Sequence, residues 1–268
     1  MISNITLGQY IPGSSVLHRL DPRTKILWTV LLMVAVFMIE TWQEYVMMGA
    51  LTLILLVISN VPLKQSLKGI KPLLLILLIT AIFNIFFIDG RTLFAIGSIR
   101  VTYEGLIAAA KLFFRLVMLI ITASLMTLTT TPMAMTDGIE KLLKPFEKIG
   151  VPSHEIAMMM SIALRFIPTL LEETERIMKA QASRGADFDT GSIFSRVKSF
   201  IPVLVPLFVS AFKRADELAE AMESRCYRGG KGRTRLKTIR FSNLDLVISL
   251  AGLLMLGLIF GVRFISGA

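Results

Sequence analysis

The sequence predicts an all-α, polytopic integral membrane protein with about five transmembrane helices and a helical cytoplasmic region. Three observations carry this reading. Of 268 residues, 54% are hydrophobic and only 18% charged, whereas a soluble domain is roughly a quarter charged. The apolar residues come in blocks of helical length. The charge is concentrated instead: residues 129–243 hold 18 of the 29 basic and 13 of the 19 acidic residues.

Five apolar blocks are candidate spans: 26–39, 45–59, 72–88, 105–128 and 244–262. A 14-residue helix reaches about 21 Å, against a hydrocarbon core of about 30 Å. The first two blocks therefore need either flanking residues such as Trp28, Trp42 and Tyr45, which suit the membrane interface, or a locally thinned bilayer. Loop charge sets the orientation. The arm before the first span carries Arg19, Arg23 and Lys25, and loop 60–71 carries Lys64, Lys68 and Lys71. Loop 40–44 carries only Glu40 and Glu44. The positive-inside rule then places the N-terminus, loop 60–71 and region 129–243 in the cytoplasm, with the C-terminus outside. Three parts follow: 1–131 with four spans, 132–242 as a cytoplasmic helical region, and 243–268 as the last span. Residues 1–25 do not read as a signal peptide.

Three helices are expected in 132–242. The first runs from about Pro132 to Ile149. The second starts after Pro152, with Ser153 as N-cap and Glu155 in the first turn, and runs to Arg184. The third runs from near Ser192 to about Arg225. Each long helix has an apolar N-terminal half, interrupted by Pro168 or by Pro202 and Pro206, and a charged C-terminal half. Halves apolar nearly all round must pack on the spans or lie in the interface. Met158, Met159 and Met160, with Leu164 and Phe166, form either an adaptable contact surface or a methionine-filled core.

From Arg225 to Arg240 the chain has seven basic residues and no acid. Arg228, Lys231, Arg233, Arg235, Lys237 and Arg240 form a cluster beside the last span, suited to anionic lipid. Nucleic-acid binding would want repeated interleaved aromatics, and this stretch has only Tyr227.

Catalytic signatures are absent. His18 and His154 have no metal-ligand spacing partner, no phosphate-binding glycine loop or GxSxG elbow occurs, and one cysteine excludes an internal disulfide. "EETER" (172–176) lacks the later histidine that an intramembrane protease would require. The chain is expected to do no covalent chemistry and to bind no metal. Lys111 and Arg115 lie one turn apart in the fourth span. They are either functional intramembrane bases or side chains snorkelling toward the interface near Glu104. Asn84 in the third span could bond a neighbouring helix.

The two long helices end alike, on Ser183-Arg184-Gly185 and Ser224-Arg225-Cys226. A terminal arginine can simply complement the helix dipole. Here, however, both arginines sit among small residues (Ala180, Ala182; Ala219, Ala221), which let a partner approach while the planar guanidinium reaches in.

These features resemble the transmembrane coupling subunits (T components) of energy-coupling-factor transporters, a family that includes the cobalt-transport Q component. The opening "GQYIPGSSVLHRLDPRTKI" (8–26) and the block "SHEIAMMMSIALRFIPTLLEETERIMKAQASRGADF" (153–188) carry the resemblance, which covers essentially the whole chain. It implies that 132–242 are coupling helices. Their tips, residues 183–185 and 224–226, would dock into grooves on two ABC-type ATPases, identical or different, which bind ATP and magnesium. The second tip departs from the family pattern by placing Cys226 where glycine is usual. It further implies a small membrane substrate-binding subunit (S component) contacting Met158, Met159, Met160, Leu164, Phe166, Pro168, Pro202 and Pro206, for uptake of vitamins or similar micronutrients. A conventional ABC permease would need its own substrate path and a single coupling loop. A membrane-bound enzyme would need a catalytic cluster.

Overall fold

The computed structural model of the chain describes residues 10–96, 99–188, 190, 192–230 and 241–265. The described residues of Gly8–Gly138 and Ile239–Ala268 form one unit, and those of Ile139–Thr238 another.

The first unit opens with a short helix, α1 (Val16–Arg19), then α2 (Pro22–Met38) and α3 (Trp42–Ser59). A single turn α4 (Leu63–Ser66) and two 3₁₀ turns lead into α5 (Leu74–Phe87). A small antiparallel hairpin follows, β1 (Thr92–Ile96) with β2 (Ile99–Thr102), then α6 (Tyr103–Thr129) and, late in the chain, α10 (Asn243–Ile265). α7 (Pro132–Leu143) leaves this unit and leads to a 3₁₀ turn (Lys144–Ile149), α8 (Ser153–Ser183) and α9 (Ile193–Glu223).

Local chemistry fixes the ends. Asp21 caps α2 through the Arg23 N–H (2.9 Å), and Pro22 sits where a missing N–H costs nothing. Thr41 and Glu44 form a capping box at α3. Buried Asp245, near the start of α10, accepts from the N–H groups of Asp21 (2.8 Å) and Ser242 (2.9 Å). It thereby joins the starts of α2 and α10.

The core of this unit is Leu32, Val36 and Ile39 of α2, Tyr45, Met48 and Leu51 of α3, Met118 of α6, and Leu256 and Ile259 of α10. Threonines inside it return their hydroxyls to carbonyls of their own helices, as Thr52 to Met48 (2.7 Å) and Thr122 to Met118 (2.8 Å). Leu53, Val57, Leu75 and Phe87 face outward. An apolar exterior with helix-bonded threonines in the core suits a lipid surround. Trp28, expected at the interface, packs inward: its ring lies where a Cβ on Gly252 would fall, and its Nε1 donates to Ser249 (3.1 Å). Tyr45 is buried as well, and only Trp42 stays exposed.

Lys111 and Arg115 find main-chain partners. Lys111 Nζ donates to the Glu40 carbonyl (2.6 Å) and Arg115 Nη2 to the Ile39 carbonyl (2.7 Å), just beyond the end of α2. Lys25 of α2 reciprocates, donating to the Thr129 carbonyl (2.9 Å) and the Thr130 hydroxyl (3.2 Å) at the end of α6. Each helix thus satisfies orphan carbonyls of the other with cations. Asn84 bonds the Thr80 carbonyl of its own helix (2.9 Å) rather than a neighbour.

Five described stretches are long and apolar enough to cross a membrane: Trp42–Ser59, Leu63–Phe87, Tyr103–Thr129, Ser153–Ser183 and Asn243–Val262. The number matches the sequence expectation but one member differs. α2, with 17 residues, is about 26 Å long and falls just short. α8 qualifies through its apolar first half.

Candidate functional site

The two arginine tips share one backbone geometry. α8 ends in a Schellman motif with Arg184 as C-cap and Gly185 left-handed at φ +88°. The Gly185 N–H donates to the Ala182 carbonyl and the Ala186 N–H to that of Gln181, both at 3.0 Å. α9 ends identically: Cys226 takes φ +57°, its N–H donates to the Glu223 carbonyl (2.8 Å), and the Tyr227 N–H donates to that of Met222 (3.0 Å). Cys226 therefore does the work of Gly185, at a steric cost of roughly 1 kcal/mol. Ser183 and Ser224 fold their hydroxyls onto the carbonyls of Lys179 (3.0 Å) and Ala221 (3.1 Å). All six tip residues are exposed. Among the described residues neither Arg184 nor Arg225 has an ion-pair partner.

Behind the tips, Glu173 clasps the two helices together. Glu173 of α8 accepts from the Ser210 hydroxyl (2.8 Å) and from Arg214 Nη2 (2.9 Å) of α9. Arg184 lies eleven residues beyond Glu173, and Arg225 eleven beyond Arg214. Each arm therefore extends about 16 Å past the clasp. After the second tip the chain returns to the start of α8. Gly230 abuts the His154 imidazole so closely that a Cβ would fall 2.5 Å from its Cδ2. His154 in turn pairs with Glu140 of α7 (3.2 Å).

The expected partner-facing residues are only in part exposed. Met159, Pro168, Pro202 and Pro206 are exposed, while Met158, Met160, Leu164 and Phe166 are half-buried. The prolines do not break their helices: α8 runs unbroken through Pro168, and α9 through Pro202 and Pro206. Ser153 is not the cap of α8 but its first residue; Pro152 holds the cap position, and the Ser153 hydroxyl donates to Glu147 instead. The larger apolar surface is on α9, where Val197, Ile201, Leu204, Val205, Phe208 and Phe212 are exposed. Their 3–4 residue spacing marks that face in the sequence. Of the basic cluster, Arg228 is exposed. Lys231, Arg233, Arg235, Lys237 and Arg240 lie outside the described residues.

Two exposed arginine tips thus lie at equal distance from a shared clasp. Residues 13–236 match the family model described as CbiQ, cobalt transport protein. The chain is 57% identical over 249 residues to an "Energy-coupling factor transporter transmembrane protein EcfT" of Ruminiclostridium cellulolyticum, covering 93% of each chain. It is 54% identical to the protein of that name in Thermosediminibacter oceani (97% and 98% covered), and 45% identical to that of Bacillus subtilis (98% and 100%). The chain belongs to the EcfT family.

This EcfT-family chain is accordingly a multi-pass transmembrane component of an energy-coupling-factor transporter.

Proposed function

We propose that this chain transmits ATP-driven motion of two ABC-type ATPase subunits to a membrane-embedded S component, for uptake of vitamins or similar micronutrients. The observation that carries the proposal is the pair of tips: one cap geometry, two exposed arginines, two arms of equal reach from the Glu173–Arg214 clasp. ATP and magnesium belong to the ATPases. Arg184 and Arg225 sit in one groove each, on the cytoplasmic side, with Ser183, Gly185, Ser224 and Cys226 allowing close approach. When the ATPase pair closes and reopens, the arms shift about the clasp. The apolar first halves of α8 and α9, including Met159 and the exposed α9 stripe, hold the S component and pass the shift to it. The conventional permease and the membrane enzyme gain no support from two such tips.

The test is ATP-driven uptake by the assembled transporter in vesicles. Arg184→Glu with Arg225→Glu should abolish uptake and weaken ATPase retention. A buried, paired arginine is worth about 2–5 kcal/mol on truncation, enough to lose association at each groove. Uptake at the unaltered rate would overturn the assignment.

A further inference from the structure

The turn joining α7 to α8 carries a surface that the coupling role does not use. In a 3₁₀ helix, side chains three residues apart eclipse one another. Within Lys144–Ile149, Phe146 and Ile149 therefore share one edge, and both are exposed, by 50% and 76%. The turn is pinned rather than loose: Gly150 closes it at φ +93°, its N–H donating to the Glu147 carbonyl (3.1 Å), and the Val151 N–H donates to that of Phe146 (3.2 Å). Lys144 and Lys148 flank the apolar edge and are exposed, and among the described residues neither has an ion-pair partner. The nearby acids are turned toward α8. The Glu147 carboxylate accepts from the Ser153 hydroxyl, and Glu140 pairs with His154 (3.2 Å). Glu147, though exposed, is thus engaged by Ser153 and Glu140 by His154, while the two lysines stand beside two apolar side chains.

We infer that the Lys144–Ile149 turn is a lipid-surface anchor, with Phe146 and Ile149 entering the headgroup boundary and Lys144 and Lys148 meeting anionic lipid. An apolar wedge flanked by cations is the composition that binds a membrane face. The covalent path keeps it within reach. α7 starts at Pro132, directly after apolar α6 ends at Thr129, and its 12 residues extend only about 18 Å. This anchor is distinct from the basic cluster of residues 228–240 and does not depend on the ATPase or S-component contacts.

The experiment uses the full chain in vesicles of phosphatidylcholine, with or without phosphatidylglycerol. An environment-sensitive dye is placed on Ile149→Cys with Cys226→Ser, and on native Cys226 as a water-exposed reference. The dye at 149 should be shielded from aqueous iodide several-fold better than that at 226. It should be quenched by lipids brominated on the acyl chain, and more strongly when phosphatidylglycerol is present. Lys144→Gln with Lys148→Gln should remove the phosphatidylglycerol dependence. Iodide quenching as strong at 149 as at 226 in both lipids would overturn the inference. So would shielding that arises only when a partner subunit is added, which would assign the edge to a protein.

Discussion

Cys226 occupies a backbone conformation that glycine would hold more cheaply. Replacing it with glycine removes its Cβ strain, less the extra entropy glycine gains when unfolded. Cys226→Gly should slow amide exchange of residues 222–227 and stabilise that cap by about 0.5–1 kcal/mol. Gly185→Ala should destabilise the first tip by a similar amount. Nothing lies within 4 Å of the Cβ it would add, so the effect is purely one of φ. Protected-amide exchange followed by mass spectrometry reads both. The first tip was readable from its residues, because glycine after a helix signals a left-handed cap. The second was not readable in the same way. The shared Ser-Arg dipeptide pairs the two ends in the sequence, but cysteine has no preference for that region, so the left-handed cap at the second end is visible only in the φ of Cys226 and the hydrogen bonds of Cys226 and Tyr227.

Among the elements, α2 and α6 hold each other by reciprocal cations, Lys25 toward the end of α6 and Lys111 with Arg115 toward the end of α2. Removing Arg115 strands the carbonyl of buried Ile39. Arg115→Leu should therefore cost about 1–3 kcal/mol, seen as a lowered unfolding midpoint in detergent, while an outward-facing Leu53→Ala should cost far less. Helix positions were readable to within a few residues, because apolar blocks and capping residues mark them independently. The partners of Lys111 and Arg115 were not, since they are main-chain carbonyls more than seventy residues away in sequence and no side-chain pattern encodes them. The prolines misled for a related reason. A missing N–H predicts an interruption, yet α8 continues through Pro168 and α9 through Pro202 and Pro206.

Across the whole molecule, the sequence separated a membrane part from a charge-bearing helical part because charge and apolarity are so unevenly spread. Its pattern assigns α2 as a span and α8 to the cytoplasm, whereas by length and apolarity α2 falls just short and α8 qualifies, since one is short and the other apolar at its start. The α8–α9 clasp was equally hidden: Glu173, Ser210 and Arg214 are ordinary residues until folding brings them together.

The spacing behind the tips sets angle as well as reach. Eleven residues make three turns with about 20° to spare, so each arginine points nearly the same way as its own clasp residue. Length and rotational phase are therefore tied. Inserting two residues between Arg176 and Lys179 would swing Arg184 by about 200°, carrying it to the opposite side of its helix for a gain of only about 3 Å. Inserting four would add about 6 Å but return it within about 40° of its bearing. Transport assays should show the shorter insertion to be the more damaging, the signature of a part that must arrive correctly turned rather than merely close enough.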